Sequence, residues 1–179
     1  IYGNSRSNWT DLADWVVSHK LFSKSNRFMV QTPRIYRIFR KINKVASFQE
    51  YLENVFQPLF AATLDPEAHP VLHEFLEHVS GFDSVDDESK PESNVPTADA
   101  QPVHPESWTD GNPHYAYYSY YLYANLFVLN QRAAAVKLGF KESQFPHIYA
   151  LAHNLLHNCD RLRSTHIGRV RERLAVSWT

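Results

Sequence analysis

Residues 81–92 read "GFDSVDDESKPE", in which an apolar opening at Gly81-Phe82 and Val85 meets carboxylates at Asp83, Asp86, Asp87 and Glu88 before Pro91. Two readings stand. As a loop, the cluster is solvated surface whose self-repulsion is weak in salt. As a short buried strand over Phe82 to Val85, it delivers carboxylates to the rim of a pocket, since α/β folds keep their chemistry at strand carboxyl ends. The choice depends on what surrounds it.

Upstream, "RFMVQTP" (27–33) holds a brief apolar run, Phe28 to Val30, closed by Pro33, and its length suits a buried strand. Ahead of it, Ser7 and Asn8 are candidate caps for a helix carrying Trp9, Leu12, Ala13, Val16 and Val17 at helical spacing, with Asp11 in the first turn. "PRIYRIFRKI" (33–42) predicts a second helix with Ile35, Ile38, Phe39 and Ile42 on its core face and Arg34, Arg37, Lys41 and Lys44 on another. Ser47 and Glu50 stand in capping-box relation before Phe48, Leu52, Val55, Phe56 and Leu59, and Pro58 is expected to bend or end that helix. Asp65-Pro66 and His69-Pro70 read as successive helix starts. Leu72, Phe75, Leu76 and Val79 then form a core face that Gly81 terminates. Helices alternating with the two short apolar runs favour α/β over all-α.

Between Ser89 and Pro113 lie five of the ten prolines and little that packs, which predicts a long loop. Asn112 as cap and Pro113 at the first helical position open a Tyr-rich helix that Gly139 can end. Six of the ten tyrosines fall there, and core packing with hydroxyls reaching a partner explains them better than base stacking.

The chain has 179 residues, 44% of them hydrophobic and 14% aromatic, enough for one core. A net charge of −1 and a pI near 6.9 supply no global attraction to nucleic acid or anionic membrane, so neither is an expected partner. The single cysteine, Cys159, excludes an internal disulfide framework and every Cys-x-x-Cys site, in keeping with a cytosolic protein. No stretch is long and apolar enough to span a bilayer, and the opening residues lack signal-peptide character. The absence of an initiating Met suggests an excerpt of something longer. Five glycines compose no dinucleotide fingerprint, Walker loop or nucleophile elbow.

Two histidine pairs, His69/His73 and His153/His157, have i, i+4 spacing, but neither carries the His-Glu-x-x-His arrangement, and both read as surface. The stripe Arg34, Arg37, Arg40, Lys41 and Lys44 is the best local anion site; a solvated helix face is its simpler explanation.

Three stretches, "LADWVVSHKLFSKSNRFMVQTPRIYRIFR", "YLENVFQPLFAATLDPEAHPVLHEFLEHVSGFDSVDDESKPE" and "WTDGNPHYAYYSYYLYANLFVLNQ", resemble the AMP deaminase family in the correct order over roughly Ile1 to Phe140. The resemblance implies a zinc-dependent hydrolase of the TIM-barrel superfamily that converts AMP and water to IMP and ammonia, homo-oligomeric at full length. It implies an α/β fold class, an incomplete TIM-barrel fragment, mostly helical with two or three short parallel strands. Residues 1–140 form its partial barrel domain, with a flexible loop at 89–113 and a divergent tail at 141–179. A complete barrel takes about 250 residues, so this chain supplies only part of one. By the same analogy the backbone around Asp86 lies near the purine as a substrate-binding position, while Asp87 and Glu88 hold the strand end. The family's His-x-His zinc pair and its Lys-Tyr-Asn phosphate-binding segment are expected upstream of residue 1, and its Asp-Asp pair downstream of residue 179. Pro146-His147 retains part of the family's Arg-Pro-His strand end, which leaves His147 as a degenerate zinc ligand, and His166 as a thin counterpart of the acid/base histidine. A non-catalytic homologue that binds nucleotide or a deaminase subunit is the alternative; an RNA-binding module is disfavoured by the neutral charge.

Overall fold

A computed structural model describes residues 1–87, 103–109 and 111–135. In chain order it contains helix α1 (Ser7–Ser18), strand β1 (Phe28–Gln31), α2 (Tyr36–Lys41), α3 (Phe48–Leu64), α4 (Pro70–Leu76), strand β2 (Val79–Asp83), a 3₁₀ turn (Pro105–Ser107) and α5 (Tyr115–Ala135). The described part is a mixture of helices and a parallel two-stranded sheet. Gly139, Cys159, His147, His153, His157, His166 and the 141–179 tail lie outside the described residues.

β1 and β2 pair in parallel, with Phe28 opposite Val79, Met29 opposite Gly81, Val30 opposite Phe82 and Gln31 opposite Asp83; an irregularity between Phe28 and Met29 shifts the register. Pairing continues past the strands. Thr32 N–H donates to the Asp83 carbonyl at 2.8 Å, and Arg34 N–H to the Val85 carbonyl at 2.8 Å. The second strand therefore begins three residues before the expected Phe82. Val79, which continues the helical spacing of Phe75 and Leu76, is buried from the strand instead, and Gly81 is a strand residue rather than a helix stop. The seven-residue α4 ends at Leu76, and the His78 carbonyl already accepts from Phe28 N–H.

Helix α3 is the central post. Ser47 Oγ accepts from Glu50 N–H at 3.2 Å, as the capping-box pattern requires, whereas Glu50 Oε2 reaches one residue beyond the cap to accept from Ala46 N–H. Pro58 does not end the helix, which runs six residues further to Leu64. α1 starts one turn-position earlier than expected, with Arg6 at the cap; Ser7 and Asn8 are helical, and Ser5 Oγ accepts from Ser7 N–H. His69 caps α4 and Pro70 occupies its first position, as expected.

α2 corrects a face assignment. Ile38 and Ile42 are 51% and 56% exposed, while Tyr36 is fully buried. With only six residues, α2 is anchored by the Tyr36 ring packed on Phe48 and Tyr51, with Phe39 half-buried against the same core, rather than by a full apolar stripe. The segment after residue 102 also packs more than its composition suggests: Pro105 is buried, and the Trp108 carbonyl accepts from both Phe48 N–H and Tyr36 Oη. One continuous core joins Trp9, Val16, Val30, Phe56, Phe75 and Phe82 to Tyr36, Phe48, Tyr51, Tyr118 and Leu122.

Candidate functional site at the strand carboxyl ends

The polar side chains that the fold gathers stand where β1 and β2 end. Three elements meet there: the exits Thr32–Arg34 and Val85–Asp87, the middle of α3, and the start of α5.

From α3, Tyr51 Oη donates to the Pro33 carbonyl at 3.0 Å and lies 3.2 Å from Tyr118 Oη. From α5, Tyr118 Oη donates to the Thr32 carbonyl at 2.9 Å. Carbonyls at the end of a strand have left the ladder and need donors; two buried phenols supply them. Thr32 Oγ1 donates in turn to the Asp83 carbonyl at 3.0 Å, tying the two exits together. Burial pushes the Tyr118 phenol up to about 12, against the smaller lowering effects of its hydrogen bonds and of the Arg34 charge. Tyr51 is raised as well, chiefly by burial and then by Tyr118. Both phenols are therefore neutral donors at physiological pH, not bases.

Arg34 stands at the centre of the exits. Its Nε lies 2.9 Å from Asp86 Oδ2, with the two side chains 11% and 23% exposed. Its Nη1 donates to the Pro113 carbonyl at 3.1 Å, its own carbonyl accepts from Asn112 Nδ2 at 3.0 Å, and its guanidinium lies 5.9 Å from the Tyr115 ring centre. Asn112 Oδ1 also accepts from Arg37 N–H at 2.8 Å. Asn112 is thus a clamp across the start of α2 rather than the cap of α5. That helix begins at Tyr115, where His114 Nδ1 accepts from Ala116 N–H.

The basic residues expected to form one stripe are divided between two roles. Arg34 faces Asp86 and Pro113, and Arg40 Nε donates to the Thr109 carbonyl at 2.6 Å, so both serve the polypeptide itself. Only Arg37, Lys41 and Lys44 keep the exposed setting of a solvated face. Asp86 lies beyond the carboxyl end of β2, as expected of the 81–92 stretch, and its Oδ1 accepts from Asp87 N–H. His69 and His73 share a helix turn through their backbones, and no group of three or more His, Cys, Asp or Glu side chains converges among the described residues. Those residues do not fit a zinc ion. Among them, no helix is long and apolar enough to cross a membrane.

Arg34, Tyr51, Tyr118 and Asn112 carry this site, and reading by periodicity gave none of them that role. A usable signal was present: "TPR" follows one apolar run and "SVDD" the other, placing opposite charges just past two strands that pair in parallel.

Parallel strands linked through helices, with polar side chains collected at their carboxyl ends, define an α/β protein of the kind that keeps its site on that rim. The family model for AMP deaminase matches residues 1–147, and the chain belongs to that family. It is 50% identical over 136 residues to the AMP deaminase of Arabidopsis thaliana, covering 73% of this chain and 15% of the relative. Against AMP deaminase 3 of Rattus norvegicus identity is 50% over 131 residues, covering 73% and 17% respectively. The AMP deaminase of Schizosaccharomyces pombe is 47% identical over 131 residues, with 73% and 15% covered. The chain thus spans about a sixth of the length of the curated relatives it matches.

Proposed function

We propose that this chain contributes the β1–β2 arc of a larger parallel barrel to an AMP deaminase, in which water replaces the C6 amino group of AMP to give IMP and ammonia. The observation that carries the proposal is the family match through residue 147, joined to a parallel strand pair whose polar groups stand at the carboxyl ends. The chain's part in that reaction is positional. Neutral Tyr51 and Tyr118 hold the β1 exit, and the backbone at Asp86 is offered to the purine from the end of β2. Zinc, if the enzyme follows the family, rests on ligands other than the described residues; His147 is this chain's own candidate. A homo-oligomeric, cytosolic enzyme is the setting proposed, the latter on the strength of the single cysteine.

The test is replacement: residues 1–135 of this chain are exchanged for the matching stretch of the Arabidopsis thaliana AMP deaminase, and IMP formation is followed. Turnover of AMP within about tenfold of the parent is expected. A folded replacement enzyme that binds AMP without releasing ammonia would sink the catalytic proposal and favour the non-catalytic alternative. This chain alone, supplied with AMP and zinc ions, is expected to release no ammonia.

A further inference from the structure

We propose that Arg34 is a positioning residue that acts through Asp86, bracing the β2 exit against the start of α5 so that the backbone at Asp86 is held in one place. The kinetic part of this inference rests on the AMP deaminase proposal above; the structural part does not.

Five contacts made by one residue carry it. Arg34 N–H pairs with the Val85 carbonyl, continuing the sheet. Its guanidinium meets Asp86 Oδ2 at 2.9 Å and, through Nη1, the Pro113 carbonyl. Its carbonyl accepts from Asn112, and its cationic head lies against Tyr115. The two segments so joined, 85–87 and 112–115, are 25 or more residues apart in sequence, and the sheet itself does not reach the second of them. Arginine suits the task because its planar fork reaches a carboxylate and a carbonyl at once, which a lysine ammonium on a flexible stem does not. The carboxylate of Asp86 is thereby committed to the protein, with Oδ1 on Asp87 N–H and Oδ2 on Arg34. With its carboxylate so engaged, the backbone of Asp86 is the part proposed to face a ligand. Asp87, expected to hold the strand end, shares that task through its N–H on Asp86, and Asp86 and Arg34 join it; Glu88 lies outside the described residues.

A small displacement of a group that contacts substrate costs rate far out of proportion to its size. Two residues acting as one brace also lose their effect together.

The experiment has two arms, with Arg34→Met, Asp86→Asn, the double variant and Arg34→Lys. In this chain, amide hydrogen exchange is expected to quicken about tenfold or more at residues 84–87 and 111–115 in the first three variants, with α1 and α4 unchanged. Arg34→Lys should fall between them and the unaltered chain. Unchanged exchange in those two stretches overturns the brace. In the replacement enzyme, Arg34→Met and Asp86→Asn are each expected to lower kcat/KM about tenfold, and the double variant by the same factor rather than a hundredfold. Losses that multiply, or full kcat/KM at a temperature where every variant is folded, overturn the positioning role. An unaltered replacement enzyme that fails to deaminate AMP counts against the deaminase proposal, while hydrogen exchange still decides the brace.

Discussion

The two sides of α3 solve the burial of aromatic rings differently. On the α1 and α4 side, Trp9 packs against Phe75 and Phe82, with ring centres 6.5 and 5.9 Å away, and Phe28 joins Phe75. One polar atom is involved, the Trp9 Nε1–H, which donates to the Val55 carbonyl at 2.7 Å. On the α5 side, Tyr36, Tyr51, Tyr118 and Tyr121 surround Phe48 and bring hydroxyls into the core with them. The first side is held by area removed from water and the second by area plus directed bonds to backbone carbonyls. Only the second fixes the strand ends. Burial makes a core, whereas directed bonds select where a strand exit points.

Alkali separates the two sides most sharply. Tyr118 and Tyr120 are pushed up to about 12 from an ordinary 10.0, mainly by burial, and Tyr51, Tyr117 and Tyr121 are raised too. Above the ordinary value the unfolded chain releases protons that the folded chain retains. The tyrosines' contribution to stability is therefore fully present below about pH 10 and is lost as pH rises through about 12. Tyrosinate absorbance and circular dichroism followed together should show phenol ionisation arriving with unfolding; full ionisation of a still-folded chain would refute the buried cluster.

Next in size is Trp9→Ala, which empties the larger ring from the apolar side and is expected to cost about 3–5 kcal/mol in denaturant unfolding. A loss below about 1 kcal/mol would mean the ring is not core. Tyr118→Phe keeps the ring and removes one hydroxyl, leaving the Thr32 carbonyl without that donor, at an expected cost of about 1–3 kcal/mol. Hydrogen exchange should quicken at Thr32 and Arg34 but not in α1, since the damage lies at the strand exits. The smallest effect expected is that of Ser47→Ala, which unseats the α3 cap for about 1 kcal/mol and touches both sides equally. An uneven response there would mean that α3 is not shared.

Sequence legibility follows the same division. α3 and its cap, the start of α4 at Pro70 and the run Phe28–Gln31 are local features, set by residues within one turn or one strand of each other, and periodicity reveals them. The start of β2 was obscured because Val79 satisfies helical spacing from Phe75 and strand alternation equally well, and only a partner strand decides between them. Ile38 and Ile42 obey helical periodicity and are nonetheless exposed, because six residues are too few for periodicity to dictate a face. At the candidate site, the place of Asp86 was legible from the strand it follows. Its partner was not: 52 residues separate Arg34 from Asp86 and 79 separate Arg34 from Pro113, and nothing local marks either pairing.

Residue 3 has a reach that its size conceals. Gly3 has φ of +78°, and a methyl group there would come within 2.5 Å of the Tyr51 ring, while its carbonyl is gripped by Asn54 Nδ2. That edge of the ring adjoins the carbon bearing the hydroxyl that donates to the Pro33 carbonyl beside Tyr118. Tyr51 thus spans the gap between the first loop and the strand exits, so a single carbon added at position 3 would be felt as a shove where β1 and β2 end.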